Sequence, residues 1–382
     1  MKKRLLFVVN VDWFFLSHRL GIAKAAMNQG YEVHIATAIT GNPKILTDEG
    51  LILHHIPLNR SNIDPLSVIK YLFKLIKVFK LVQPDLVHLV TIKPVLIGGI
   101  ALKFFKVPAV VFAISGMGYV YIGNKFIHQF LRLLSSIIYK LALNHPNAIV
   151  ICQNADDLKL VKGITNLPRK AFTLIKGSGV DLKKFKPTKL PAQPPIIMFP
   201  ARMLFDKGVN EFVEAAKRIS SNQSIEIKAR FVLVGMLDDG NKASLKPSDI
   251  LELEQNNIVE YWGHKESMEE ILPLSTVVVL PSYREGLPKV LSEAAACGRP
   301  IITTDVPGCR DVLQKNISGL LVPANNSKKL ADAMIKLITT PNMCSSFGNA
   351  GRIFAEKNFS LEIIINQHIK IYQDLTEEGK AL

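Results

Sequence analysis

A chain of 382 residues, 48% hydrophobic and 21% charged, has material for two globular domains, which excludes a disordered or fibrous class. The net charge of +15 belongs to the first half: residues 1 to 190 carry 26 Lys and Arg against 9 Asp and Glu, and the remainder carries 21 against 23. Such a half faces something acidic, whether nucleic acid, anionic lipid or a phosphorylated substrate. Cys152, Cys297, Cys309 and Cys344 show no paired spacing, so a reducing compartment and no metal knuckle are expected.

The opening residues imitate a signal peptide, but the apolar run is short and ends at Asn10 and Asp12 with no cleavage site. Leu5 to Asn10 reads instead as a buried strand. Val11 to Arg19 reads as a loop, followed by a helix to Asn28 that Gly30 ends, and by a strand from Tyr31 to Thr37. Further strands are expected near Leu51–Ile56, Leu86–Thr91, Ala109–Ser115, Ala148–Gln153 and Phe172–Lys176, with helical patterns between them. Val107 to Gly123 is uncharged but contains Pro108, Ser115, Gly116 and Gly118. It falls short of the roughly 20 apolar residues a membrane helix needs, so a strand and a loop are expected there and no transmembrane helix.

Lys186 to Pro195 contains Pro187, Pro191, Pro194 and Pro195 and reads as an interdomain linker. A second alternation follows, with strands at Ile196–Phe199, Phe231–Val234, Val259–Trp262, Val277–Leu280, Ile301–Thr304 and Leu320–Val322. The expected class is α/β: a Rossmann-like domain over 1–186, a linker over 187–195 and a second Rossmann-like domain from 196 to 360. Ligands in such folds bind at the carboxyl ends of the strands, here in a cleft between two sheets.

The chemistry gathers after the Val277–Leu280 strand. Glu285 and Gly286 make a turn, Pro288 stands where a first helical residue would be, and Leu291 to Ala296 is helix sequence with Glu293 on its second turn. A strand, a loop and a helix N-terminus make an anion site, where the N–H groups of Gly286, Leu287 and Lys289 can cap phosphates and Pro288 has none to give. Carboxylates there repel phosphate, so Glu285 and Glu293 are expected to accept hydrogen bonds from sugar hydroxyls. Arg202 and Lys207, before Gly208, follow the Ile196–Phe199 strand and suit a diphosphate. The bland readings are two surface cations and a solvated pair of glutamates. No Asp-x-Asp occurs, which fits cationic side chains holding a diphosphate without metal. No Gly-x-Gly-x-x-Gly follows either domain's first strand, which argues against a dinucleotide oxidoreductase.

Seven residues separate Glu285 from Glu293, and the stretch resembles the E-x7-E element of retaining glycosyltransferases of family 4, which have the GT-B fold. Ala201-Arg202 through Lys207-Gly208 resembles that family's G-R-x-x-x-x-K-G phosphate motif, with Ala201 in place of the first Gly. Thr304 to Arg310, Gly319 to Pro323 and the Phe359-Ser360…Tyr372 terminus extend the likeness over the C-terminal half. The resemblance implies Arg202 and Lys207 on the donor diphosphate, Glu285 on the transferred sugar and Glu293 on the ribose. It places nucleobase contacts near His264, which reads equally as an ordinary loop histidine. It also implies a C-terminal helix, within 361–382, that returns to the first domain.

Many members carry a Gly-Gly in the first loop that lets the backbone approach the donor. Trp13-Phe14-Phe15 stands here instead, so that contact is not carried over. These aromatics either stack on an acceptor sugar or anchor in the core, Phe15 leaning to the core. His18 and Arg19 are candidates for an acceptor phosphate or the donor, His18 also for a proton acceptor, and Lys93 points at the same cleft. Pro65–Val82, with Lys70, Lys74, Lys77 and Lys80, and Lys125–Leu143, with Arg132 and Lys140, are basic apolar helices. Each suits a membrane interface or a core helix with a solvated Lys stripe, and the charge surplus favours membrane contact by one of them.

The expected protein transfers a hexose or N-acetylhexosamine from a nucleotide-sugar, UDP-linked, to a polyprenyl-diphosphate-linked saccharide. It needs no cofactor or metal and works in the cytoplasm at the inner membrane face. A nucleotide-sugar epimerase of the same architecture is the alternative, and a basic nucleic-acid-binding protein is the alternative of another class. For the latter no motif is present, and aromatics are not interleaved with the basic runs.

Overall fold

A computed structural model describes residues 2–57, 64–118, 126–222, 228–238, 241 and 243–378, with the backbone alone at 126–130 and 378. The chain divides into two compact units: residues up to Ser178 together with those from Glu362 on, and Gly179–Leu361.

In the first unit β1 (Arg4–Val11) is followed by α1 (Asp12–His18), α2 (Leu20–Asn28), β2 (Glu32–Ala38), α3 (Lys44–Thr47) and β3 (Ile52–His55). Then come α4 (Pro65–Val82), β4 (Leu86–Val90), α5 (Ile92–Ala101), β5 (Ala109–Ile114), α6 (Phe126–Leu143), β6 (Ala148–Cys152), α7 (Ala155–Ile164) and β7 (Phe172–Leu174). The seven strands form one sheet in the order β3-β2-β1-β4-β5-β6-β7, with every pairing parallel. Order reverses at β1 and β4, the switch point of a doubly wound sheet. Lys125, assigned above to the α6 helix, and part of the loop after β5 lie outside the described residues.

Val11 to Arg19 is not a loop: Asp12–His18 is helical. The cause is Asp12, 5% exposed, whose carboxylate accepts from Trp13 N at 2.8 Å, from Thr40 N at 2.7 Å and from Gly41 N at 2.9 Å. One buried carboxylate at the first helical position thus holds the Trp13 N–H and ties the helix to the loop after β2. The three aromatics disguise that start.

In the second unit β8 (Ile196–Pro200), α8 (Val209–Ser220), β9 (Arg230–Val234), α9 (Pro247–Gln255), β10 (Glu260–Gly263) and α10 (Met268–Ile271) precede β11 (Val277–Leu280). There follow α11 (Lys289–Ala296), β12 (Ile301–Thr304), β13 (Gly319–Val322), α12 (Ser327–Ile338), α13 (Pro341–Phe359) and α14 (Leu361–Glu378). Its parallel sheet runs β10-β9-β8-β11-β12-β13. The proline-rich stretch from Lys186 packs onto this unit: buried Arg299 donates to Thr188 O at 2.7 Å and to Lys189 O at 3.2 Å.

α14 belongs to the first unit from Glu362 on. Its Ile364, Ile369, Tyr372 and Leu375 join Phe7, Phe15 and Ile22 in one buried cluster. A polar knot lies within it. Tyr372 Oη is 2.6 Å from His88 Nδ1, the His88 and His368 rings stack with centroids 5.7 Å apart, and all three residues are buried. The α4, α5 and α6 helices pack on the sheet's other apolar cluster through Tyr71, Leu75, Phe79, Val95, Tyr139 and Leu143.

Candidate active site

Strands β8, β11 and β12 are neighbours, so the loops after them share one edge of the second sheet. Two glycines let these loops touch. Gly208 has φ +79°, and a Cβ on it would lie 2.2 Å from Pro281 O; Gly308 has φ +81°, and a Cβ there would lie 2.3 Å from Glu285 O. Backbone bonds from Tyr283 N to Asp206 O, 2.9 Å, and from Glu285 N to Pro307 O, 3.1 Å, complete the junction.

This junction brings Lys207 and Glu285 together. Lys207 Nζ lies 2.5 Å from Glu285 Oε1, and Ser282 Oγ donates to the same oxygen at 2.8 Å. The pair is largely buried, with 21% of the lysine side chain and 13% of the glutamate exposed. Arg202 stands just past β8 and pairs with Asp238 from the loop after β9, Nη1 to Oδ2 2.7 Å. The α11 helix starts at Lys289, one residue later than expected. Pro288 is its N-cap, with φ −69° and ψ 109°, because proline lacks the N–H but holds an extended turn. Lys289 Nζ is 3.1 Å from Glu293 Oε1 one turn on. Burial pushes the Glu293 carboxyl above the ordinary range; Lys289 pulls it back through charge and hydrogen bond, and Glu269 adds to the rise. Gly286 and Leu287 contribute backbone to the corner, the Leu287 side chain being buried in the core.

The edge therefore carries three cation–carboxylate pairs at or beside a helix N-terminus. Each cation can exchange its carboxylate for phosphate oxygens, and each carboxylate so released becomes an acceptor for hydroxyls. Ser282 and Asp238 escaped the sequence reading, although each sits within four residues of a strand's carboxyl end, where ligand contacts concentrate. His264 is exposed just past β10, and β9 separates that strand from β8.

In the first unit Phe15 is fully buried and meets Phe7 edge-on at 5.5 Å, which removes it from any acceptor surface. Phe15 thus follows its lean to the core, whereas Arg19 departs from expectation. It is 2% exposed, donates to His18 O at 2.8 Å, and faces the His88–His368–Tyr372 knot. Burial lowers its guanidinium to about 10, against a raising influence from Tyr372. His18 stays half-buried, stacked on Phe14 with centroids 4.0 Å apart, and Lys93 lies in the first turn of α5, half-buried.

Comparison with known proteins covers both units. Residues 4–154 match the family described as "Glycosyl transferase 4-like", and residues 180–354 match "Glycosyl transferases group 1". The chain is 28% identical over 380 residues to the N,N'-diacetylbacillosaminyl-diphospho-undecaprenol alpha-1,3-N-acetylgalactosaminyltransferase of Campylobacter jejuni, covering 94% of this chain and 97% of that one. It is 23% identical to the UDP-Gal:alpha-D-GlcNAc-diphosphoundecaprenol alpha-1,3-galactosyltransferase of Escherichia coli, over 89% of this chain and 91% of the other. Anabaena Alr3699/HepE, solved in complex with UDP and glucose, superposes with a TM-score of 0.78 at 16% identity, covering 98% of this chain and 100% of that one, which shows the fold. These likenesses support glycosyl transfer over epimerisation and over nucleic-acid binding. The chain belongs to the GT-B glycosyltransferases of the family-4 type, with a transferase 4-like first half and a group 1 second half.

Proposed function

We propose that this glycosyltransferase moves a hexose or N-acetylhexosamine from a UDP-sugar to a polyprenyl-diphosphate-linked saccharide, with retention and without a metal. The observation that carries the reading is the corner of Lys207, Glu285 and Ser282 at the strand ends, with Arg202 on the same loop as Lys207. Support for the acceptor class comes from the two relatives, whose names specify diphospho-undecaprenol acceptors and which align over nearly their whole length.

In this reading Arg202 and Lys207 leave their carboxylates for the donor diphosphate, while the backbone of Gly286, Leu287 and Lys289 faces it from the start of α11. The sugar–phosphate bond breaks, the acceptor hydroxyl oxygen takes its place, and the proton passes to the leaving phosphate. Negative charge grows on that phosphate, so fixed cations favour the transition state over the bound donor. Glu285 orients the transferred sugar's hydroxyls. Glu293 accepts from the ribose, and Lys289 opposes the burial that raises its carboxyl. Donor-side base contact falls to His264, and His18 and Lys93 in the first unit are the acceptor-side candidates. In this reading the chain works at the inner face of the cell membrane, which the basic first half supports.

The test is nucleotide release from a panel of UDP-, GDP- and ADP-sugars with EDTA present, with and without crude lipid extract. UDP release from one donor, raised by lipid, is expected. Release that requires added divalent metal overturns the metal-free part, and absence of nucleotide binding overturns the whole.

A further inference from the structure

Resting on the reading of a lipid-linked acceptor, we propose that α4 and α6 form one membrane-docking surface, whose apolar side chains insert into an anionic leaflet while lysines meet its headgroups. Both helices have a satisfied inner face. α4 buries Tyr71, Leu75, Phe79 and Val82, and α6 buries Tyr139, Ala142 and Leu143. A core helix with a solvated lysine stripe would be polar on its outer face. That of α4 instead carries Leu66, Ile69, Phe73 and Leu81, which are 65%, 48%, 61% and 72% exposed, interleaved with exposed Lys70, Lys74, Lys77 and Lys80. On α6 the residues Leu133, Leu134, Ile137 and Leu141 repeat at helical spacing and all stand exposed, with Lys140 among them.

The two faces look the same way. Both helices flank α5 on one side of the sheet, joining the same buried cluster. α5 itself is sunk: a Cβ on its Gly99 would fall 2.3 Å from Ala142 O, so α6 rides close over it. Exposed Phe104, in the turn after α5, lies between Lys103 and Lys106. Charge identifies the occupant. Neither helix contains a single Asp or Glu, so the surface is apolar and cationic together, complementary to anionic lipid. No described helix is long and apolar enough to cross a membrane, so the contact is an interfacial one.

Vesicles test this without any sugar chemistry. The full chain is sedimented with liposomes of phosphatidylcholine, with and without about one third phosphatidylglycerol. Binding to the anionic vesicles is expected, falling with salt but persisting because the apolar side chains insert. A Phe73→Glu/Leu133→Glu/Ile137→Glu variant should lose about tenfold or more in partitioning at every salt concentration. A Lys70→Glu/Lys74→Glu/Lys77→Glu variant should lose it mainly at low salt. These positions are exposed, so unchanged thermal unfolding confirms that the variants fold. Equal partitioning of the apolar variant, or no vesicle binding by the parent chain, overturns the proposal. So does a parent dimer that the apolar variant converts to monomer without change in lipid binding, because a second copy would then be the occupant. UDP binding, followed in parallel, reports on the glycosyltransferase reading separately, since none of the mutated residues belongs to the second unit.

Discussion

Acidification should loosen the first unit at its polar knot. His88 and His368 are buried beside the Arg19 guanidinium. Burial pushes His368 down to about 3, helped by Arg19 and opposed by its bond to Ile364 O; His88 is driven well below its usual range by burial, His368 and Arg19. Unfolded, each would titrate near 6.5. A depressed folded pKa means that the stabilisation is fully present above 6.5 and is lost as pH falls toward the folded value, because the unfolded chain then binds the extra proton. From pH 7 to pH 5 one such histidine costs about 2 kcal/mol, with a limiting slope of about 1.4 kcal/mol per pH unit. For a unit of this size that corresponds to a fall in Tm of roughly 4–8 °C per histidine. The assay is thermal unfolding from pH 7.5 down to 4.5 for the parent chain and His368→Leu. The leucine variant is expected to show the shallower dependence, its own stability at pH 7.5 being somewhat lower. Parallel curves would refute the argument and mean that the knot admits water enough to hold a charged imidazole.

Three further outcomes are expected. Lys207→Ala should lower kcat by about 100- to 1000-fold, as loss of one fixed charge beside a leaving group does, and should also lower Tm, because the largely buried Glu285 loses its counter-charge; steady-state kinetics on the identified donor, at a temperature where the variant stays folded, decide it. Glu293→Gln should raise stability at neutral pH, since a carboxyl raised in the folded state stabilises fully only below its unfolded pKa and loses that contribution as pH rises through the folded one; the variant should lose less stability than the parent between acid and neutral pH, while UDP binding by calorimetry weakens. Gly308→Ala places a Cβ at 2.3 Å from Glu285 O in a left-handed conformation, at a backbone cost of about 1 kcal/mol or more; nucleotide release should fall more steeply than Tm, because the displaced loop carries Glu285.

The second unit was the more legible half because its signals are local. Each strand there is an apolar run closed by turn residues, and Arg202, Lys207, Glu285 and Glu293 all lie within a few residues of a strand's carboxyl end or on the helix that follows. Periodicity alone therefore places them. What stayed hidden was pairing across the sheet. That Lys207 would lie 2.5 Å from Glu285 depends on Gly208 and Gly308 allowing two backbones to touch, and such a contact, 78 residues apart in the chain, leaves no period. Asp238 was invisible for the same reason.

The first unit misled at its opening, and the cause is burial. Phe15 leans to the core in sequence and is buried there, but Arg19 stands in a stretch that resembles a ligand loop, whereas it closes the Asp12–His18 helix and is buried as well. Nothing near Arg19 in sequence could reveal its surroundings, because two of them, His368 and Tyr372, arrive on α14 from the far end of the chain. The outer faces of α4 and α6 err in the opposite direction. Their leucines match core spacing on any helical wheel, and only the structure shows that the inner faces are already full. An arginine among buried rings and a phenylalanine in water are the same inference failing from two sides. Hydrophobic pattern tells which residues seek cover, whereas the tertiary arrangement decides how much cover the chain itself supplies. The surplus on α4 and α6 is what it leaves for a partner.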